Sequence, residues 1–226
     1  MKLKKLRVLI TAGPTREFFD PVRFLSNPSS GKMGYALAEA ALKRGAKVTL
    51  ISGPVALKAP NCRVIRVVSA EEMYRAALKE ARRADLILMT AAVSDYRPAS
   101  YSKRKMKKSA RPQTLKLVRT KDVLKELGRR KKAGQTLVGF AAETHGLAAY
   151  AKKKLKEKNL DAIVANLVGR PGAGFESDAN RASLIDASGK TKDFPRMPKT
   201  AMALKIFDFV SYSSVNGKSP SRRPVR

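Results

Sequence analysis

Three short segments of this chain combine residue types able to hold an anion or steer a polar ligand. The first, Ser26-Asn27-Pro28-Ser29-Ser30-Gly31-Lys32-Met33-Gly34, ends a connection of about twenty residues (Ala12–Gly31) and opens onto a helical pattern. Small residues at such a junction let backbone N–H groups approach a ligand, and a helix N-terminus favours negative charge. Ser29, Ser30 and Gly31 therefore read as the floor of a phosphate cradle. Plain capping by Ser30, with the glycines allowing close helix–sheet packing, is an equal reading. The segment is neither G-x-G-x-x-G nor a Walker loop. The second segment is Ala91-Ala92-Val93-Ser94-Asp95-Tyr96-Arg97-Pro98, followed by Lys103-Arg104-Lys105-Met106-Lys107-Lys108. Asp95 has the chemistry to hold a ribose hydroxyl or a metal ion. The lysine run could clamp a triphosphate and stabilise charge on a leaving pyrophosphate; a solvated basic loop is the alternative. The third is Gly139-Phe140-Ala141-Ala142-Glu143-Thr144, where Phe140 can stack on a base or fill the core. Lys154 and Lys158 follow it, four residues apart on one helix face. His145 is the only histidine and Cys62 the only cysteine. Neither has a sequence neighbour suggesting a nucleophile–base pair, and no metal-ligand spacing occurs.

These segments are punctuated by elements able to position them. Arg7–Thr11, Lys47–Ile51, Arg63–Val67 and Leu86–Thr90 read as short buried strands. Lys32–Arg44 and Glu71–Arg83 read as helices, with Gly45 ending the first and Ser69 capping the second. Thr114–Val118 alternates like a strand, and Thr120 is placed to cap a helix over Asp122–Arg130. Thr136–Ala141 and Ala162–Ala165 are further strands, separated by a lysine-faced helix at Leu147–Lys158. Gly169–Asn180 reads as loop, and Arg181–Asp186 with Lys190–Phe194 as a hairpin through Ser188-Gly189. Lys199–Tyr212 closes the pattern as a helix. The order implies an α/β fold: a Rossmann-like, doubly wound, mostly parallel sheet with a small C-terminal β-hairpin element. Residues 1–212 are expected to form one domain and residues 213–226 a basic, disordered tail.

Composition narrows the classes. The chain has 226 residues, 43% of them hydrophobic, enough for a core, and a formal net charge of +30. No apolar run approaches the roughly 18 residues of a membrane span. Gly13 and Pro14 close the first apolar stretch too early for a signal peptide. A single cysteine excludes an intrachain disulfide. The charge favours anionic ligands, but aromatics are 6% with no Trp, so no stacking platform for nucleic acid is evident. Most of the lysines and arginines read as a solvated surface.

In order along the chain, Thr11-Ala-Gly-Pro-Thr15, Asp20-Pro-Val-Arg-Phe24, Ser26-Asn27 and Ser29-Ser-Gly-Lys-Met-Gly34 are followed by Ala91-Ala-Val-Ser-Asp-Tyr96 and Lys105-Met-Lys-Lys108. Gly139-Phe-Ala-Ala-Glu-Thr144, Lys158-Asn-Leu-Asp161 and Ala165-Asn166 complete the set. Together they resemble the signature of phosphopantothenate–cysteine ligase over about residues 6–212. The lysine run is similar to the bacterial, CTP-dependent type rather than the ATP-using eukaryotic one.

The resemblance implies a two-step ligation of 4′-phosphopantothenate to cysteine through an acyl-cytidylate, with Mg²⁺ accompanying CTP. It implies that Asn27 holds that intermediate and that Lys105 neutralises the triphosphate from a mobile flap. Ala91, Asp95, Lys105, Lys121, Asp122, Val123, Leu124, Phe140, Lys154 and Lys158 fall on the family's nucleotide-binding positions. Asn27, Ser29, Ser30 and Gly31 are expected to bind phosphopantothenate; no metal-ligating residue is assigned. A cytoplasmic homodimer without flavin is expected, with a flavin-dependent decarboxylase as pathway partner and no membrane or nucleic-acid partner. The chain opens on Met1 without a flavin-binding half, so it reads as a free-standing ligase or an excised domain. The competing reading is a basic α/β nucleotide- or nucleic-acid-binding module without ligase activity.

Overall fold

Arg7–Ala12 (β1) has no exposed residue after Arg7, because helices cover it on both faces. Val8, Ile10 and Ala12 face one apolar cluster and Leu9 the other, the period-2 alternation of a strand serving two cores. The protein is described by a computed structural model over residues 3–108, 112–143, 147–167 and 177–216.

Beside β1 lie Lys47–Ser52 (β4) and Leu86–Met89 (β6), both parallel to it. Arg63–Arg66 (β5), Thr136–Glu143 (β9) and Ala162–Leu167 (β10) extend the parallel set. Ala179–Asp186 (β11) and Thr191–Pro198 (β12) add an antiparallel edge. The eight-stranded order is β12-β11-β10-β9-β6-β1-β4-β5. From β1 the chain winds outward through β4 and β5, then returns to β6 on the other side of β1. That reversal leaves a crevice at the carboxyl ends of β1 and β6, where ligands of doubly wound sheets bind.

One sheet face is covered by Lys32–Lys43 (α1) and Lys199–Asn216 (α5), through Leu37, Ala38, Met202, Ile206 and Phe207. The other is covered by Ala70–Ala81 (α2), Val123–Arg129 (α3) and Leu147–Glu157 (α4), through Met73, Ala77, Leu127 and Leu155. The expected architecture is therefore observed. Ser69 caps α2 by accepting the Glu72 N–H, and Gly45 follows α1 at φ 79°.

The structure corrects several local expectations. Gly31, not Ser30, is the N-cap of α1; it makes no side-chain cap and sits at φ 76°. Asp122, not Thr120, caps α3, because the Thr120 hydroxyl donates to the Ser94 carbonyl instead. The long first connection hides a hairpin of Arg16–Phe18 (β2) and Phe24–Ser26 (β3). The strand expected at Thr114–Val118 is Leu117–Arg119 (β8), and it pairs with Tyr96–Pro98 (β7) outside the main sheet. Residues 179 and 180 belong to β11 rather than to the loop, and α5 runs to Asn216, four residues into the expected tail. Thr144, His145 and residues 217–226 lie outside the described residues. Among the described residues, no helix is long and apolar enough to cross a membrane.

Candidate functional site

The crevice floor is a set of backbone bonds between the tips of β1 and β6. Thr11 and Thr15 are fully buried. Their hydroxyls accept the N–H groups of Ala91 and Ser94, at 3.2 and 3.0 Å. Ala92 donates its N–H to the Gly13 carbonyl at 2.9 Å. This explains why β1 ends in Thr-Ala-Gly-Pro-Thr: each threonine captures an N–H that the other strand end leaves unpaired. Asn27 is fixed to the same floor, its Nδ2 donating to the Ala92 carbonyl at 3.1 Å. Its Oδ1 accepts no hydrogen bond among the described residues.

Over this floor opens a cleft of about 370 Å³. It brings together Asn27, Ser29, Gly31, Ala91, Asp95, Phe140 and Lys154, residues from all three segments singled out above. Gly34 lets α1 approach closely: a Cβ there would lie 2.5 Å from the Ala12 Cβ and 2.7 Å from the Thr90 Oγ1. The first turn of α1 is thereby pressed against the crevice with its N–H groups toward it.

Other expected residues lie elsewhere. Ser30 lines a neighbouring basic groove with Arg16, Lys32 and Arg66, so the Ser29–Lys32 turn is a ridge between two clefts. Lys121, Asp122 and Lys158 line a third depression against α3. There Lys158 pairs with Asp122 at 3.0 Å, and Lys121 with Glu71 at 3.1 Å. Although four residues apart, Lys154 and Lys158 thus serve different cavities, because the helix ends at Glu157. Val123 is buried and Leu124 packs on the same core, so neither side chain reaches the cleft. Sequence reasoning assigned no role to Lys32, Thr90, Val93, Asn180 or Lys199, which also line it.

Lys105 is exposed and outside the cleft, yet its run is pinned at the next residue. The Met106 N–H donates to Asp20 Oδ2 at 3.2 Å, and the Arg23 guanidinium donates to the Met106 carbonyl at 2.8 Å. Burial by itself would raise the Asp20 carboxyl. The Arg23 guanidinium and the N–H groups of Val22, Arg23 and Met106 outweigh it and hold Asp20 well below the usual carboxylate range. A depressed folded-state pKa gives stability that is complete above the unfolded value, about 4, and lost as pH falls through the folded one. Wild type and Asp20→Asn should therefore differ in thermal stability by a constant amount at neutral pH. The gap should narrow only below about pH 4. At neutral pH, trypsin should cut Asp20→Asn faster after Lys105 and Lys107; equal cutting would contradict the tether.

Among the described residues no group of three His, Cys, Asp or Glu side chains could hold a metal ion. A divalent ion here would be held chiefly by ligand oxygens, with Asp95 and the buried Asn166 Oδ1, which has no hydrogen-bond partner among the described residues, as the protein oxygens fitted to its shell.

Fold and cleft together define a doubly wound α/β protein with a ligand site at the topological switch point, open to an anion from α1 and to a planar ring beside Phe140. The chain belongs to the family described as DNA/pantothenate metabolism flavoprotein C-terminal domain, whose model matches residues 3–213. It is 49% identical over 211 residues to the coenzyme A biosynthesis bifunctional protein CoaBC of Bacillus subtilis (strain 168), covering 92% of this chain and 52% of that protein. Against the protein of the same name from Vibrio vulnificus (strain YJ016) it is 44% identical over 207 residues, covering 90% and 51%. The crystal structure of the C-terminal domain of coenzyme A biosynthesis bifunctional protein CoaBC aligns with a TM-score of 0.80 at 39% identity, covering 97% of this chain and all of that one. The chain spans about half the length of the curated relatives it matches. The family resemblance carried by the loop motifs is borne out.

Proposed function

We propose that the chain is a CTP-dependent phosphopantothenate–cysteine ligase acting in coenzyme A biosynthesis. The observation that carries this reading is the single cleft shared by Asn27, Asp95 and Phe140, which come from three distant strand tips. Membership of the family and the relatives' names support it.

A carboxylate oxygen of 4′-phosphopantothenate attacks the α-phosphorus of CTP. The bond from that phosphorus to the bridging oxygen breaks, and pyrophosphate leaves with the electron pair. The amine of cysteine then attacks the acyl carbon, loses a proton, and CMP departs carrying the former carboxylate oxygen. No protein nucleophile is required; the chain contributes position and charge. Asn27, held by Ala92, presents its amide to the mixed anhydride. Asp95 takes the ribose, Phe140 and Ala91 the base, and Lys154 the nearby charge. Lys121, Asp122 and Lys158, with the backbone of Val123 and Leu124, form an outer rim to the nucleotide site. Phosphopantothenate lies along Asn27 and the Ser29–Ser30–Gly31 ridge. Mg²⁺, bound through the triphosphate, supplies charge neutralisation.

The same proposal includes a homodimer. Val22, Phe24, Tyr96, Tyr101 and Leu117, on and beside the two small hairpins, are exposed apolar side chains suited to burial against a second copy. Lys105 would meet the triphosphate from its anchored run, within one protomer or across the dimer. No flavin is used, the location is cytoplasmic, and a flavin-dependent decarboxylase consumes the product.

The test is pyrophosphate release with phosphopantothenate, cysteine and Mg²⁺, using CTP or ATP. Release should require the acid and the nucleotide together and should favour CTP. Lys105→Ala should lower kcat/KM by about 100-fold, the scale of losing one preorganised charge partner. Absence of nucleotide consumption, together with steeply salt-dependent oligonucleotide binding, would instead favour a nucleic-acid module.

A further inference from the structure

The cleft occupies the carboxyl ends of the parallel strands, and their amino ends carry a second surface that the ligation does not use. In a doubly wound fold the helices run against the strands. The last turns of α1, α2 and α3 therefore gather around the amino ends of β5, β4, β1, β6, β9 and β10. Hydrogen bonds join these ends into one face. The Lys5 N–H donates to the Gly45 carbonyl at 3.3 Å, the Asp85 N–H to the Arg7 carbonyl at 2.8 Å, and the Thr136 N–H to the Asp85 carbonyl at 2.9 Å. Lys132, just beyond α3, donates from Nζ to the Arg82 carbonyl at the end of α2, at 3.2 Å. Arg7 and Lys47 are register partners on β1 and β4. From β5 to β10 the face crosses six adjacent strands, a width of about 24 Å at the usual strand spacing.

The charge of this face is one-sided. Asp85 is matched by Arg7 at 2.8 Å, Glu80 by Arg63 at 2.7 Å and Asp161 by Lys131 at 3.0 Å, while Glu126 holds both Arg129 and Arg130. Lys4, Lys5, Lys43, Lys47, Arg82 and Arg83 are left over, all exposed and without an ion pair among the described residues. Complementing a helix dipole accounts for Lys43, Arg82 and Arg83, which end α1 and α2. It does not account for Lys4, Lys5 and Lys47, which precede or open strands.

The other side chains on this face narrow the partner. Among the described residues the exposed aromatics are Phe24, Tyr96, Tyr101 and Tyr150. They sit on or beside the small hairpins or in the first turn of α4, and none is at the strands' amino ends. Single-stranded nucleic acid is held by stacking on aromatic rings, and a membrane interface by apolar side chains that insert. This face offers neither. A row of cations on strand and helix ends suits the regular phosphates of a duplex, which can be held without base contacts. We propose that the amino-end face docks double-stranded nucleic acid through its phosphate backbone, over about seven base pairs. The expectation of no nucleic-acid partner followed from the scarcity of aromatics, which backbone docking does not require. The cleft opens at the other end of the strands, so a docked duplex leaves it free. DNA and RNA share the phosphodiester chemistry, and the experiment separates them.

The full chain is titrated against a labelled duplex of about 20 base pairs, once as DNA and once as RNA, over a range of salt concentrations. Fluorescence anisotropy reads the affinity. The wild type should bind at least one of the two with a steep salt dependence, and the tighter one identifies the polymer. Replacing Lys4, Lys47 and Arg83 together by Gln should make the slope of log affinity against log salt shallower by about three, one for each lost phosphate contact. Replacing Arg181, Arg196 and Lys205 together by Gln removes the same charge from exposed positions elsewhere. That control should alter the slope by less than about one. Thermal unfolding checks both triples, and Lys47→Gln alone, with a slope change of about one, keeps the question answerable if the first triple does not fold. Failure to bind either duplex, or equal losses from the two triples, would overturn the assignment. So would tighter binding of a single strand than of a duplex, or displacement of the duplex by phosphatidylserine vesicles. None of these readouts involves CTP, so the docking face and the ligase reading stand or fall separately.

Discussion

Asn27→Ala should stop amide formation while the first half-reaction continues. Its amide, like the Thr15 hydroxyl, ties the first connection to the β6 tip, through the 3.1 Å bond to the Ala92 carbonyl. Its Oδ1 then has no partner among the described residues, so one end of the amide is anchored and the other is available to ligand. Alanine removes both. The exposed Ala92 carbonyl still accepts the Thr15 N–H, so the fold loses little, and the deficit should appear in chemistry. Overall turnover should fall by about 100-fold or more, as when a preorganised polar group is deleted from an active site. Pyrophosphate release in a single turnover should persist, and the acyl-cytidylate should accumulate to a level detectable by mass spectrometry. Unchanged turnover, or loss of pyrophosphate release in step with turnover, would mean that Asn27 does not act on the intermediate.

Gly34→Val should damage stability and binding together. Its first side-chain carbon would sit 2.5 Å from the Ala12 Cβ, 2.7 Å from the Thr90 Oγ1 and 3.1 Å from the Ala12 Cα. The first two neighbours are short side chains with nowhere to go, and the third is backbone. Helix α1 must therefore lift from the tips of β1 and β6. Overpacking of a core typically costs about 1–3 kcal/mol, and a contact against backbone belongs at the upper end. In a chain of this size that corresponds to a Tm lower by about 2–4 °C per kcal/mol. The lifted segment carries the Gly31–Gly34 turn, so nucleotide affinity should fall further than the lost stability explains. A Tm and an affinity both like wild type would show that the close approach is not needed.

The elements legible from sequence are those with a strong period. The apolar runs at Val8–Ile10, Leu86–Met89 and Leu137–Val138 end in small or turn residues and became parallel strands. Helices α1 and α2 were legible from their apolar stripes, and Gly45 and Ser69 marked their ends. The hairpins β2–β3 and β7–β8 were not, because three-residue strands offer too few positions for alternation to register. Caps went wrong where two hydroxyls or acids competed: Thr120 was claimed by Ser94, leaving the helix to Asp122.

The site was legible where it sits on strand tips. Asn27, Ala91 and Asp95 follow strands and Phe140 lies in the second half of β9, and the switch point gathers them. The far wall was not, since it depends on the antiparallel edge folding back beside β10. Asn180 read as loop, and Lys199 as an ordinary start to a helix. One signal was present: a lysine in the first turn opposes the helix dipole, so Lys199 called for a reason outside helix formation. Lys154 and Lys158 show the limit of helical spacing, which predicts a shared face but says nothing of which cavity each residue lines.

The most direct test follows one oxygen atom. With 4′-phosphopantothenate labelled by ¹⁸O in its carboxylate, and with CTP, cysteine and Mg²⁺ present, the CMP released should carry a single ¹⁸O. Unlabelled CMP alongside formation of the amide would show that no acyl-nucleotide ever occupies the cleft.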